Sequence, residues 1–225
     1  MCGRFTEVVR LSVLSKRFKF LESGVPWNAR YNLAPGQDAL AVVNLDERKA
    51  HLMRWGLIPS WAKDPAIGYR MINARAETLL EKPSFRKPFT DRRCLVLADG
   101  FYEWKSEEGK KTKTPLRVVL KTREPFAFAG LWDIWKDPGG KEVMSFTIIT
   151  TRATEALKTV HERMPVILEE KDEETWIDPN VWNPVNLQPL LKPYPSEKID
   201  FYPVSTVVNS AQNDTEACIQ PVSLV

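Results

Sequence analysis

Histidine is the scarcest chemistry-bearing residue in this chain of 225 residues, with only His51 and His161. That argues against a histidine-rich metal centre, and no metal is expected. Cysteine is almost as rare. Cys2, Cys94 and Cys218 are odd in number and far apart, so they spell neither a disulfide framework nor a zinc motif. No apolar run reaches the roughly 18 residues that a membrane-spanning helix needs. The start, Met1-Cys2-Gly3-Arg4-Phe5, lacks the apolar stretch of a signal peptide. The phosphate-loop, dinucleotide, zinc-protease and esterase fingerprints are all missing, and no cofactor is expected. A dominant charge is missing too: 32 Lys and Arg against 29 Asp and Glu leave +3. That does not demand a nucleic-acid partner, but it permits one if the basic residues cluster. These absences point to a soluble, cytoplasmic protein of a reducing compartment, with no membrane partner.

What is present suffices for a globular fold. Hydrophobic residues make up 43% and charged residues 27%, enough to bury a core and to exclude wholesale disorder. Eight Trp and 17 Pro against 10 Gly supply aromatic surface for packing or for stacking on bases. Thr6 reads as the cap of a helix running to about Phe20, with Val9, Val13, Leu14, Phe18 and Leu21 on one stripe. Pro26 to Pro35 reads as a loop. Strands are expected at 39–44 and 49–55 around an Asp46-Glu47 turn, and a short helix after Asn73-Ala74-Arg75-Ala76-Glu77. Further strands are expected at 93–98 and 101–105, with a hairpin tip at 107–113 and a return at 116–120. Strands at 126–132 and 143–151 flank Asp137-Pro138-Gly139-Gly140, a hairpin signal. Helices follow at 153–160, 171–176 and 185–191, then a strand at 201–208 and an irregular tail after about 209. No linker or repeat divides the chain, and strands and helices lack a regular βαβ period. The expectation is one α+β domain over 1–225, with a largely antiparallel, barrel-like core and short flanking helices.

Cys2 is the most informative position. Methionine is generally removable before a small residue, which would expose a cysteine bearing both a free amine and a thiol. Their ordinary pKa values, ~7.7–8.0 and ~8.5, leave part of the amine neutral near pH 7. Such an amine attacks an aldehyde to give a Schiff base, and the thiol then closes a five-membered thiazolidine intramolecularly. An incidental buried thiol is the alternative. Glu103, in Asp99-Gly100-Phe101-Tyr102-Glu103-Trp104, sits among aromatics that would raise its pKa and suit it to carrying protons; an edge-strand carboxylate facing water is the other reading. His161 lies where a helix gives way to a loop, as a proton carrier or a capping residue, whereas His51 in an alternating strand reads as structural or exposed. Asn73 and Arg75 are either a helix start or an amide and a guanidinium holding an anion. Arg4, Arg54, Arg75, Arg86, Arg92, Arg93 and Arg163 stand near aromatics or prolines, a pattern of phosphate contacts or of scattered salt bridges. Trp61, Tyr69 and Trp104 could stack on bases, although core packing suits any single Trp.

The segments follow one another in a specific order. Cys2-Gly3-Arg4-Phe5, Asn32-Leu33-Ala34-Pro35 and Arg54-Trp55-Gly56-Leu57-Ile58-Pro59-Ser60-Trp61 come first. Asn73-Ala74-Arg75-Ala76-Glu77-Thr78, Arg92-Arg93-Cys94 and Asp99-Gly100-Phe101-Tyr102-Glu103-Trp104 follow. Phe128-Ala129-Gly130-Leu131-Trp132, Thr147-Ile148-Ile149-Thr150-Thr151 and His161-Glu162-Arg163-Met164-Pro165 complete the set. Together they resemble the SRAP family, the SOS-response-associated peptidases also described as abasic-site processing proteins. The resemblance covers nearly the whole chain and is weakest after Val208. It implies that Cys2 traps the ring-opened aldehyde of an abasic site in single-stranded DNA as a covalent thiazolidine, shielding it from strand cleavage. It implies that Asn73 holds Cys2 and the sugar, and that Glu103 and His161 handle protons. Arg4, Arg75 and Arg163 become phosphate clamps, and Trp61, Tyr69 and Trp104 stacking or wedge residues. Self-processing at Met1 and an abasic-site lyase side reaction belong to the same implication. The protein would be a monomer associated with the nucleoid when DNA-bound, with the strand near a duplex junction or not. Two rival classes remain at this point: an N-terminal-nucleophile amidohydrolase using Cys2, and a non-covalent single-stranded-DNA module in which Cys2 is incidental.

Overall fold

A computed structural model describes residues 2–22, 24–44, 47–106, 109 and 112–223, without the Asn44 side chain. Twelve strands are present: β1 Phe5–Glu7, β2 Arg30–Leu33, β3 Asp38–Asn44, β4 Arg48–Trp55, β5 Asn73–Arg75, β6 Arg93–Ala98, β7 Gly100–Lys105, β8 Thr114–Leu120, β9 Phe126–Lys136, β10 Glu142–Arg152, β11 Arg163–Pro165 and β12 Ile199–Pro203. Five α-helices flank them: α1 Leu11–Phe18, α2 Pro83–Asp91, α3 Glu155–Lys158, α4 Glu170–Ile177 and α5 Pro184–Leu187.

The order β10-β4-β3-β6-β9 closes on itself because β9 also pairs with β10. The result is a five-stranded barrel, antiparallel except where β4 runs parallel to β10. Closure removes the free edges that an open sheet would leave. A second, antiparallel sheet has the order β12-β8-β7-β1-β2. Side chains alternate across each barrel strand. Ala39, Ala41, Met53, Trp55, Val96, Phe128 and Phe146 pack with Phe5, Leu33 and Phe101 of the second sheet. Their neighbours Leu40, Val42, Leu95, Leu97, Ala129 and Ile149 pack with Leu14, Phe18, Phe85, Phe89 and Trp176 of the helices. Phe5 is fully buried, edge-on to Trp55 at 5.0 Å and to Phe128 at 5.8 Å. One aromatic near the amino terminus thus locks the second sheet to the barrel. The α+β, barrel-like expectation matches this architecture.

The local differences have physical reasons. Thr6 caps no helix: it lies in β1, and its hydroxyl donates to Asp99 Oδ1 at 2.5 Å and accepts from Arg117 Nη2 at 3.0 Å. The buried carboxylate outcompetes a helix terminus for that hydroxyl, and α1 begins five residues later. Of the expected stripe Leu14 and Phe18 are buried, while Val13 is 41% and Leu21 71% exposed, because the helix ends at Phe18 and presents a narrower face. Arg30–Leu33, expected in a loop, forms β2 because β1 offers it a free edge. Asn73 starts strand β5 rather than a helix, since β10 pairs with it through residues 148–150; only a 3-10 turn, Ala76–Thr78, follows. Helix α2 was not expected, and it carries Pro88 inside its span. The helix expected at 153–160 is the single turn α3, and residues 206–209 form a 3-10 turn rather than strand. The hairpin of β9 and β10 pairs Lys136 with Glu142, as the Asp137–Gly140 signal implies. Asp46 and most of 107–111 lie outside the described residues. Among the described residues no helix is long and apolar enough to cross a membrane.

Glu7 is the costliest burial in β1. It is 2% exposed, and its Oε1 accepts the Leu40 N–H at 2.8 Å. Burial pushes its pKa well above the usual carboxylate range; the Leu40 bond opposes this, nearby Asp99 adds to it and Arg30 opposes it. A carboxyl whose folded pKa is raised supports the fold fully below its unfolded value of ~4.3 and loses that support as pH climbs toward the folded value. Glu7→Gln keeps an oxygen for Leu40 and removes the titration. Denaturant unfolding between about pH 5 and pH 8 should therefore show the variant gaining on the parent as pH rises. A pH-independent gap between the two would contradict the assignment.

Candidate active site

Backbone hydrogen bonds carry the amino-terminal arm to its place. Phe5 pairs with Phe101 and Thr6 with Gly100, while the Tyr102 N–H donates to the Arg4 carbonyl at 2.9 Å. Continuing that antiparallel register sets residues 2 and 3 beside Glu103 and Trp104. Cys2 is completely buried against the Phe5 cluster, with Sγ 4.0 Å from the Arg4 carbonyl oxygen. From β5, Asn73 Nδ2 donates to the Cys2 carbonyl at 2.8 Å. Its Oδ1 is buried and has no hydrogen-bond partner among the described residues. A buried amide oxygen without a donor is costly, and a ligand bearing an N–H or O–H would satisfy it.

The electrostatics follow from the burial. The Cys2 thiol is pushed far above its ordinary pKa by desolvation, and the charge of Glu103 adds to the shift. It is therefore held as S–H rather than as thiolate. Glu103 is 5% exposed, and burial raises its pKa against the opposing charge of Lys113. His161 follows α3, and its Nδ1 accepts the Arg163 N–H at 3.0 Å. That bond assigns the neutral tautomer with the proton on Nε2. Burial lowers the His161 pKa, and Lys113 acts in the same direction. Lys113 thus acts on both groups, while the Asn73 bond and the charge of Glu103 tie those two residues to Cys2. His51 lies elsewhere, half-buried in β4.

The arginines divide into two kinds. Arg92 pairs with Asp133 and contacts Trp132, and Arg93 donates to the carbonyls of Phe89, Trp176, Asp178 and Val181. Arg86 donates to the Leu80 carbonyl. Arg92 is thus in a salt bridge, whereas Arg93 and Arg86 spend donors on backbone carbonyls. Arg4 Nη1 donates to Asn32 Oδ1 at 2.7 Å and to the Val208 carbonyl at 2.8 Å, and its guanidinium lies 5.7 Å from the Trp104 ring. Arg163 grips Glu77 with two bonds of 3.1 and 3.0 Å and also donates to the Thr150 carbonyl. Arg75, by contrast, is exposed at the end of β5, two residues from Asn73 and on the same side of the strand.

The aromatics divide similarly. Trp61 is 60% and Tyr69 62% exposed, both on the segment linking β4 to β5. That segment is pinned where Gly56, at φ +125°, meets Gly68; a Cβ on either would come within 2.8 Å of the other's backbone. Arg54 donates to the Tyr69 hydroxyl at 3.1 Å. Trp104 is half-buried, with Nε1 donating to Asn209 Oδ1 at 2.7 Å.

Sequence reasoning missed the anchors of the tail. Asn32 Nδ2 donates to the carbonyls of Val208, Ser210 and Asn213, and Asp214 accepts from Arg30 and from the Tyr31 and Asn32 N–H groups. A loop reading of 26–35 concealed this, although an Asn within a run of apolar neighbours was a signal available in the sequence.

The family model described as SOS response associated peptidase (SRAP) matches residues 1–211. The abasic site processing protein YoqW of Bacillus subtilis (strain 168) is 46% identical over 224 residues, covering 98% of this chain and 99% of that protein. The abasic site processing protein HMCES of Mus musculus is 36% identical over 203 residues, 77% of this chain and 57% of that protein. This chain thus corresponds to little more than half of the mammalian relative. Among solved structures, a protein from Bacteroides thetaiotaomicron superposes with a TM-score of 0.89 at 29% identity, over 99% of this chain and all of that one.

All three thiols are buried, and burial raises those of Cys2 and Cys94. With Met1 still attached, a colourimetric disulfide reagent near neutral pH should find no fast-reacting thiol in the native chain and three after denaturation. A burst of one equivalent that disappears in Cys2→Ser would show that Cys2 is exposed or ionised.

Proposed function

Since the chain belongs to the SOS response associated peptidase (SRAP) family, we propose that it is a DNA damage response protein that processes abasic sites. The finer reading is covalent capture through Cys2. The observation that supports it most is the pinning of Cys2 by Asn73, with the buried carboxyl of Glu103 acting on its thiol.

The chemistry begins with hydrolysis of the Met1–Cys2 bond, which consumes water and frees methionine and the Cys2 amine. That amine adds to the C1′ aldehyde of the ring-opened sugar, and loss of water leaves an imine. The thiol then adds across the imine: a sulfur–C1′ bond forms, and the thiol proton passes to nitrogen. The sum is aldehyde plus aminothiol giving thiazolidine plus water. Because the thiol is held protonated, the last step needs a nearby group to take its proton and return one to nitrogen, a role suited to Glu103. His161, neutral with its proton on Nε2, donates to the sugar oxygen as the ring opens. Asn73 Oδ1 accepts from the sugar hydroxyl or the amine. An imine also acidifies the neighbouring sugar C–H, so strand cleavage by β-elimination competes until thiazolidine closure consumes the imine.

Single-stranded DNA is the partner in this reading, held by phosphates and stacking rather than by base edges. Arg75 is the most open cation. Arg163 and Arg4 serve by clamping the Glu77 and Val208 sides of the site while presenting charge. Trp61 and Tyr69 supply exposed rings, and Trp104 supplies one edge. The closed barrel does not have the layered sandwich of the amidohydrolase alternative.

Incubation with abasic single-stranded DNA should leave a band that survives a denaturing gel. Cys2→Ala should lose it, yet yield an amine adduct when borohydride reduces the imine of the new terminus. A stable, untrapped adduct in Cys2→Ala would assign the nucleophile elsewhere, and DNA-independent hydrolysis of a small amide would favour the amidohydrolase.

Glu103→Gln keeps the shape and removes proton exchange. In a single-turnover time course on pre-bound DNA it should slow adduct formation or its reversal by about 10²–10⁴-fold and flatten the pH profile, with DNA affinity nearly unchanged. His161→Ala should slow the step in the same selective way. Forward and reverse rates equal to the parent's at every pH would make both residues structural.

A further inference from the structure

The segment that carries Trp61 is gripped at every second residue by one face of the β9–β10 ladder. Ser145 of β10 and Asp133 of β9 stand directly opposite each other, and both are buried. The Ile58 N–H donates to Ser145 Oγ at 2.8 Å, and the Ser60 N–H donates to Asp133 Oδ2 at 2.8 Å. Trp135 lies two residues beyond Asp133 on the same face of β9, and its Nε1 donates to the Ala62 carbonyl at 2.7 Å. Around Trp61 the chain turns, with the Ala62 N–H donating to the Pro59 carbonyl at 2.9 Å. Ile58 and Ala62 are buried with Trp135 in a small cluster of their own. Trp61 is left outside it, 60% exposed, so its ring gives up most of the burial that a core tryptophan gains. The other oxygen of Asp133 accepts from Arg92 and from the Ile134 N–H. A buried ion pair is weak support for a fold, because apolar side chains of similar volume do as well or better. What this one supplies is a fixed acceptor beneath Ser60.

We propose that Asp133 and Trp135 are positioning residues, which hold Trp61 as a preset stacking surface for a nucleobase of the bound strand. The inference rests on the abasic-site reading above and adds to it the residues that set one of its stacking rings. A tryptophan side chain has two torsions. Once the backbone on both sides of Trp61 is tied, little freedom remains to be lost on binding. Asp133 is 5% and Trp135 7% exposed, so neither presents a surface to DNA. Both act through Trp61, and neither touches a phosphate or a reacting atom.

The test is a double-mutant cycle in full-length protein. It is read as affinity for single-stranded DNA carrying a tetrahydrofuran abasic analogue, which has no aldehyde and binds without reacting. Stacking of one base corresponds to a factor of about 5 to 150 in affinity, and Trp61→Ala should lose an amount in that range. The slope of log affinity against log salt should stay parental, because no phosphate contact is removed. Asp133→Ala and Trp135→Phe should each weaken binding by about twofold or more, the least expected of coupled residues, again at the parental slope. In the Trp61→Ala background neither substitution should weaken it further. Trp135→Phe keeps an aromatic ring in the cluster and removes the Nε1 donor, so it decides the matter if Asp133→Ala does not fold. Equal losses with and without Trp61 would make both residues merely structural and overturn the inference, as would an unchanged affinity in Trp61→Ala. Because the analogue does not react, absence of a denaturation-resistant adduct between the parent and aldehyde-bearing DNA would overturn the Cys2 reading alone and leave the cycle to stand by itself.

Discussion

The structure depends on an amino-terminal arm that is prevented from fraying. The first residues of a domain are ordinarily its least ordered. Here the Arg4 and Thr6 carbonyls accept from the Tyr102 and Asp99 N–H groups, and Phe5 fills the seam between sheet and barrel. Under these residues the Thr6–Asp99–Arg117 network is buried and mutually hydrogen-bonded. Such a network is costly if half-satisfied and rigid if complete. Asp99 also accepts the Val8 and Val9 N–H groups, so the chain turning away from β1 is held by the same carboxylate. Cys2 on such an anchor has a fixed position instead of a distribution of positions, which is the condition that the proposed intramolecular second step needs.

Burial then decides how the site can react. A thiol in apolar surroundings is a poor thiolate, so Cys2 is not built to attack first. A terminal amine titrates close to neutrality and is the better opening nucleophile. The raised Glu103 carboxyl next to the raised thiol follows the same logic, since two acids sharing a dry site disfavour each other's charge. His161 completes the set from another element, fixed by one backbone N–H.

Much of this was legible in the sequence. Apolar runs such as 39–43 and 94–98 and the hairpin of β9 and β10 follow from composition and turn chemistry. Cys2, Glu103 and His161 stood out for chemical reasons, and their order along the chain resembled one family. What was not legible depends on partners distant in sequence. Thr6 looks like a cap until Asp99 and Arg117 are beside it, and Arg30–Leu33 looks like a loop until β1 supplies an edge. Asn73 begins a plausible helix, but β10 recruits it into a strand, and only that choice turns its amide toward Cys2. The arginines were ambiguous for the same reason. Arg93 and Arg163 have the same chemistry, yet one is enclosed among carbonyls and the other stands at a cleft.

The covalent capture proposed for this chain sets how much charge it needs. A protein that only binds single-stranded DNA needs many phosphate contacts, because affinity must hold the complex together. A protein that closes a bond needs affinity only long enough for the aldehyde to meet the amine. Excess positive charge would prolong residence on undamaged strands, which lack the aldehyde. Here several cations share carboxylates: Glu169 holds Lys192 and Lys198 with Lys171 close by, Glu174 holds Lys19 and Arg48, and Asp99 holds Arg117. On the proposed covalent reading, a chain of net charge +3 leaves retention on DNA to the bond rather than to standing charge.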